Sequence, residues 1–127
     1  MSVPTHRRPV TVLVIDDMKD AADTLAEYLR AAHGYDVRVA TDGATGLKWA
    51  VADPPNAVVC DLGLPGLDGL KVAEQIRDAL SPAPLLIAVT GFTGTFTADA
   101  ASGPFDAYLV KPADPARIAA LVGRFAR

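Results

Sequence analysis

The chain has one cysteine, Cys60, so it cannot form an internal disulfide. The place of Cys60 in the apolar run Ala57-Val58-Val59-Cys60 marks it as a core residue of a protein from a reducing compartment. There is no basic excess. Twelve Lys and Arg face fifteen Asp and Glu for a net charge of -3, which lacks the basic face that grips a phosphate backbone and excludes nucleic acid as an obvious direct partner. No apolar run approaches the roughly 20 residues needed to cross a bilayer. The run after Arg7-Arg8 is broken at Asp16, which excludes a signal peptide and points to the cytoplasm. Internal repeats, low-complexity tracts and a linker to a second domain are also missing, so nothing here reads as an effector. What remains is an ordinary globular composition, half apolar and about a fifth charged, over 127 residues, enough for one self-sufficient core.

Residues 1 to 9 hold two prolines and no periodicity and read as a flexible leader to a unit spanning 10 to 127. From Val10 onward, short apolar runs alternate with amphipathic stretches. Strands are expected near 10–15, 35–39, 56–60, 84–89 and 106–110, and helices near 20–32, 43–52, 68–80 and 114–125. A βα repeat of this kind implies a parallel sheet. Asp20 with Asp23 reads as a cap pair for the first helix, while Asp42, Asp68 and Asp114-Pro115 mark later helix starts. His33-Gly34 reads as the first helix's end, and Trp49, beside Leu47 and Ala50, as packed against the sheet. Between Thr90 and the last strand, Gly91, Gly94, Gly103 and Pro104 leave only Ala98 to Ser102 with helical tendency, so a helix there should be short or frayed. The starting Met and a last helix close to Arg127 favour a complete stand-alone protein.

Four apolar runs deliver polar groups at the same end: Asp16-Asp17, Asp61, Thr90 and Lys111-Pro112. In a parallel α/β sheet that end is where ligands bind. Three carboxylates crowded there would raise one another's pKa unless a cation intervenes, and a hard divalent ion such as Mg²⁺ answers that need while leaving room for phosphate oxygens. A carboxylate can attack a phosphoryl group to give an aspartyl phosphate, which makes Asp61 the candidate nucleophile. The metal would neutralise one phosphoryl oxygen and the Lys111 ammonium a second, while the Thr90 hydroxyl donates to a third. Taken singly, Asp16 and Asp17 could be cap or loop residues, Lys111 a solvated charge and Thr90 a strand end. Their shared position at one end of the sheet, with the first cap already assigned to Asp20, favours the joint reading.

VLVIDD at 12–17, VVCDLGLPGLDG at 58–69, AVTG at 88–91 and FDAYLVKP at 105–112 together resemble the CheY-like receiver domain of two-component response regulators, over about Val10 to Phe125. The resemblance implies a doubly wound five-stranded parallel sheet of order 2-1-3-4-5 with helices on both faces. It also implies Asp61 as phosphoacceptor, with Asp16, Asp17, Asp61 and the backbone carbonyl of Gly63 around Mg²⁺. Thr90 matches the family's phosphate-sensing hydroxyl, Lys111 its phosphate-binding lysine and Tyr108 its switching aromatic, and the Lys111-Pro112 bond is expected to be cis. DLGLPGLDG and AVTGF look closest to receivers attached to hybrid histidine kinases and to related stand-alone receivers. Gly63 and Phe92 stand where receivers often carry larger polar groups, which leaves the phosphoryl lifetime open.

The implied function is a phosphorylatable switch rather than an enzyme, one that promotes its own phosphotransfer and slow dephosphorylation. A histidine kinase or histidine phosphotransfer protein would be its donor and an unknown protein its downstream target, with no membrane insertion. The main departure from the family is the stretch between Thr90 and Lys111, where Phe92, Phe96 and Tyr108 could form a recognition patch or fill core. Two rivals are a phosphate-ester hydrolase or mutase, which would want a second acid where Gly63 stands and a cap domain, and a docking module that no longer signals through phosphorylation.

Overall fold

Alternate residues along each strand face opposite ways, and here both directions lead into apolar surroundings. The computed structural model describes residues 9–63, 68–91 and 103–125. Its elements run β1 (Thr11–Ile15), α1 (Lys19–His33), β2 (Asp36–Ala40), α2 (Gly43–Ala52), β3 (Ala57–Asp61), α3 (Gly69–Ala79), β4 (Leu85–Thr90), β5 (Ala107–Val110) and α4 (Pro115–Phe125). The leader except Pro9, the short helix expected at 98–102, and Phe92 and Phe96 all lie outside the described residues.

The strands form one parallel sheet of order β2-β1-β3-β4-β5. Val12 and Val14 of β1, Ala57 and Val59 of β3, and Ile87 of β4 meet Ala26 and Leu29 of α1 and Ile118 and Val122 of α4. Leu13 and Ile15, Val58 and Cys60, and Leu86 and Ala88 meet Ala50 of α2 and Val72 and Ile76 of α3 on the opposite face. This is a doubly wound α/β fold. Each large side chain buried in either layer stabilises the fold by roughly 1.5–3 kcal/mol, which explains the near-continuous apolar strands. Trp49 packs against the α2–α3 layer, with the Arg38 guanidinium 5.6 Å over its ring.

Strand and helix boundaries agree with the sequence expectation to within a residue or two, but the first helix cap needs correction. The residue preceding α1 is Met18, which makes no side-chain cap, and Asp20 sits inside the first turn. Asp16 takes over part of the task, because its Oδ1 accepts the Met18 backbone N–H at 2.9 Å. Asp42 and Asp68 do cap, their carboxylates accepting the Thr45 and Lys71 backbone N–H groups at 2.7 and 2.9 Å. The Thr45 bonds hold the Asp42 carboxyl below the usual carboxylate range. Gly34 ends α1 with φ +67°, the left-handed conformation that glycine adopts without a Cβ clash, and His33 stacks on Tyr35 at 5.3 Å.

β1 connects outward to β2 on one side, while β3 and its successors build the other side. The carboxyl ends of β1 and β3 therefore flank the crevice where strand order reverses.

Candidate functional site

Asp61 is the last residue of β3 and is only 7% exposed, a position that a carboxylate tolerates when its oxygens are engaged. Both are. Oδ1 accepts the backbone N–H of Gly63 at 2.9 Å, and Oδ2 meets Lys111 Nζ at 3.0 Å. Asp16 and Asp17 follow β1, hydrogen-bonded in register to β3, and one carboxylate oxygen from each lies within 4.8 Å of the others and of one from Asp61. A cluster whose donors are all carboxylate oxygens suits a hard cation better than a thiolate- or imidazole-seeking one.

Burial is the main reason that the half-buried Asp16 carboxyl is pushed up from its usual range; the nearby Asp61 charge adds to the rise, and the Met18 N–H and Lys111 oppose it. The same environment acts on Cys60, one residue before Asp61. Burial first, then the neighbouring carboxylates, push its thiol up to about 12, so it is neither nucleophile nor ligand at neutral pH.

Thr90 closes β4, next to β3, and is 3% exposed; its backbone carbonyl accepts the Lys111 N–H at 2.7 Å, which joins the ends of β4 and β5. The Lys111-Pro112 peptide bond is cis, and so is Ser81-Pro82, which the sequence reading did not anticipate. Tyr108 lies beside Ala88 in register, its ring edge-on to Phe105 at 5.4 Å and packed against the α2–α3 layer. Its hydroxyl is buried with no hydrogen-bond partner among the described residues.

Two contributions were missed in the sequence. Gly63, whose carbonyl the resemblance assigns to the metal, also donates its N–H to Asp61 Oδ1 at 2.9 Å. Gly69, at the start of α3, leaves no room for a Cβ, which would stand 2.8 Å from the Asp61 backbone carbonyl. The Asp68-Gly69 pair at a helix start was the available signal.

A sequence model of the response regulator receiver domain matches residues 12–123. The chain belongs to this family. It is 35% identical over 104 residues to the response regulator MprA of Mycolicibacterium vanbaalenii, covering 82% of this chain and 45% of that protein. It is 40% identical over 76 residues to PhoP of Bacillus subtilis, an alkaline phosphatase synthesis transcriptional regulatory protein, covering 60% of this chain and 31% of that one. The chain thus spans less than half the length of these curated relatives. Among solved structures, a CheY-like receiver domain protein from Methanospirillum hungatei superposes with TM-score 0.82 at 25% identity, covering 94% of both chains. The receiver domain of AraT from Geobacillus stearothermophilus gives 0.78 at 28% identity, again covering 94% of each. This receiver domain is a two-component signalling module, and no helix among its described residues is long and apolar enough to cross a membrane.

Proposed function

We propose that this receiver domain is a phosphorylation switch in which Asp61 accepts a phosphoryl group from a phosphohistidine on a histidine kinase or a histidine phosphotransfer protein. One juxtaposition carries the reading: Lys111 Nζ stands 3.0 Å from Asp61 Oδ2 at the edge of the three-carboxylate cluster. Asp16, Asp17, Asp61 and the Gly63 carbonyl would hold Mg²⁺, a cation that accepts oxygen donors and keeps several waters, and the exposed Asp17 leaves room for them. When bound, the ion supplies positive charge against the oxygens of the transferring group.

In the transfer, an Asp61 carboxylate oxygen forms the new O–P bond as the donor's N–P bond breaks. The imidazole nitrogen keeps that electron pair and is reprotonated. Lys111 balances charge on one phosphoryl oxygen and Thr90 donates its hydroxyl hydrogen bond to another. The product adds about 1.5 to 2 negative charges, which draw Thr90 inward and bias the Tyr108 ring, shifting a two-state surface read by a downstream protein. The unit proposed for this role spans 10–127. It acts in the cytoplasm as a switch without turnover of external substrates, inserts into no membrane and touches no nucleic acid directly.

Asp61→Asn removes the nucleophile while keeping its shape. With acetyl phosphate and Mg²⁺, intact-protein mass spectrometry should show one phosphoryl adduct on the wild type and none on the variant. Undiminished labelling of the variant overturns the assignment, as would steady turnover of phosphate esters by the wild type.

A further inference from the structure

β5 is four residues long and closes one edge of the sheet, with β4 its only neighbouring strand among the described residues. Both of its ends are fastened. At the carboxyl end the Lys111 N–H is donated to the Thr90 carbonyl at 2.7 Å, and Lys111 Nζ stands 3.0 Å from Asp61 Oδ2. At the amino end the Asp106 N–H is donated to the Leu86 carbonyl at 2.7 Å, while the Asp106 carboxylate accepts the Leu86 N–H at 2.8 Å and meets Arg77 of α3 at 3.0 Å through its other oxygen. Arg77 also donates its Nε–H to the Pro104 carbonyl. One α3 side chain thus grips the chain on both sides of Phe105.

Phe105 is buried, and its ring lies edge-on to Tyr108. Asp106 and Tyr108 are two residues apart, so strand alternation sends both side chains toward the α2–α3 layer, which Tyr108 joins. An ion pair as open to solvent as Arg77 with Asp106, at 37% and 39% exposed, adds little to stability by its charges alone. What it fixes is geometry. The planar guanidinium fork meets acceptors at the Pro104 carbonyl and at a carboxylate already held by Leu86, so α3 and the entry of β5 cannot shift past each other without breaking several bonds together.

We infer that Arg77 and Asp106 are a positioning pair that couples α3 to β5, so that a change at Asp61 and Lys111 is passed along β5 to the last turn of α3. The links are contiguous: Asp61 to Lys111, Lys111 through β5 to Asp106, and Asp106 to Arg77. Neither member of the pair touches the reacting atoms. The inference rests on the phosphorylation reading and adds to it a second place where the phosphoryl group is felt, at the end of the sheet opposite the acidic site. Coupling through such a chain is measured by a shared response that disappears when one link is cut.

The test titrates beryllofluoride with Mg²⁺, a phosphoryl mimic, into the isotopically labelled protein and follows it by NMR. In the wild type the backbone amides of Thr90 and Lys111 and those of Asp78 and Ala79, at the end of α3, are expected to shift together along one titration curve. Arg77→Gln should keep the Thr90 and Lys111 shifts at saturation and remove most of those at Asp78 and Ala79. Asp106→Asn, which retains an oxygen for the Leu86 N–H, should do the same, and the double variant should lose no more than either single one. If the pair only holds the fold together, the variants will unfold at lower urea with their α3 shifts intact, which overturns the inference. So does silence of Asp78 and Ala79 in a wild type whose Thr90 and Lys111 respond. Silence at all of these amides in the wild type overturns the phosphotransfer reading, and this inference with it.

Discussion

Asp16 accepts the Met18 N–H that leads into α1, and it does so half-buried among like charges. Its raised pKa means that the folded protein keeps a proton which the unfolded chain releases at lower pH. Between the ordinary carboxylate range and the raised value the native state binds more protons than the unfolded one, so stability falls as pH rises through that window. Above it the full penalty persists. Asp16→Asn should therefore stabilise the metal-free protein at neutral pH by no more than about 1 kcal/mol, since much of the group is open to solvent screening. Urea unfolding of both proteins from pH 4 to 7 checks this: the gain should vanish toward the acid end, and Mg²⁺ should stabilise the variant less than the wild type. Tyr108 presents the opposite kind of strain, a buried hydroxyl without a partner among the described residues. Leaving such a group unpaired costs about 1–3 kcal/mol, so Tyr108→Phe, which keeps the ring against Phe105, should raise stability by about 1 kcal/mol in the same assay. The carboxylates and Lys111 were legible because each ends an apolar run, a signal that survives without coordinates. The Tyr108 hydroxyl's isolation and the Met18 bond to Asp16 were not, since both depend on which neighbours happen to lie within hydrogen-bond reach.

At the scale of elements, the strands announced themselves by composition and the helices by spacing, and the capping aspartates Asp42 and Asp68 fixed two helix starts to the residue. The first helix misled because Asp20 and Asp23 mimic a cap pair, whereas α1 begins a turn's fraction earlier at Lys19. Also hidden was the staple at the far end of the sheet. The Asp106 carboxylate accepts the Leu86 N–H at 2.8 Å and pairs with Arg77 at 3.0 Å, and Arg77 donates to the Pro104 carbonyl as well, tying α3 to the entries of β4 and β5. Long-range pairings of this sort leave no periodic trace. One tight seam between elements is where α3 meets the end of β3. A Cβ on Gly69 would press on the Asp61 carbonyl and on the Leu62 backbone at 2.8 and 3.1 Å, and backbone cannot rotate away as a side chain can. Gly69→Ala is expected to cost about 1–3 kcal/mol through overpacking. Because the displaced atoms belong to Asp61 and its neighbour, labelling by acetyl phosphate should slow as well. Urea unfolding and timed mass spectrometry read the two effects, and a variant that loses stability with unchanged labelling would place the strain away from the carboxylate.

For the whole molecule, one sheet separates two apolar layers that share no side chains. Val14, Val59 and Ile118 of the α1–α4 layer line the pocket that holds Asp16 and Asp61, whereas Ile76 belongs to the α2–α3 layer on the opposite face and does not line it. Contacts on opposite faces without common partners should contribute independently to stability. Ile118→Val and Ile76→Val each remove one buried methyl group, at a cost of about 0.5–1.5 kcal/mol, small enough to leave the fold intact. The double variant should lose the sum of the two within about 0.5 kcal/mol by urea unfolding, with the denaturant slope unchanged. Function should divide where stability adds. Ile118→Val loosens the packing beneath Asp16 and Asp61 and is expected to alter Mg²⁺ affinity measured by titration. Ile76→Val, across the sheet, should leave that affinity as it is, and an equal effect from both would mean that the sheet transmits packing changes from one layer to the other instead of insulating the site from them.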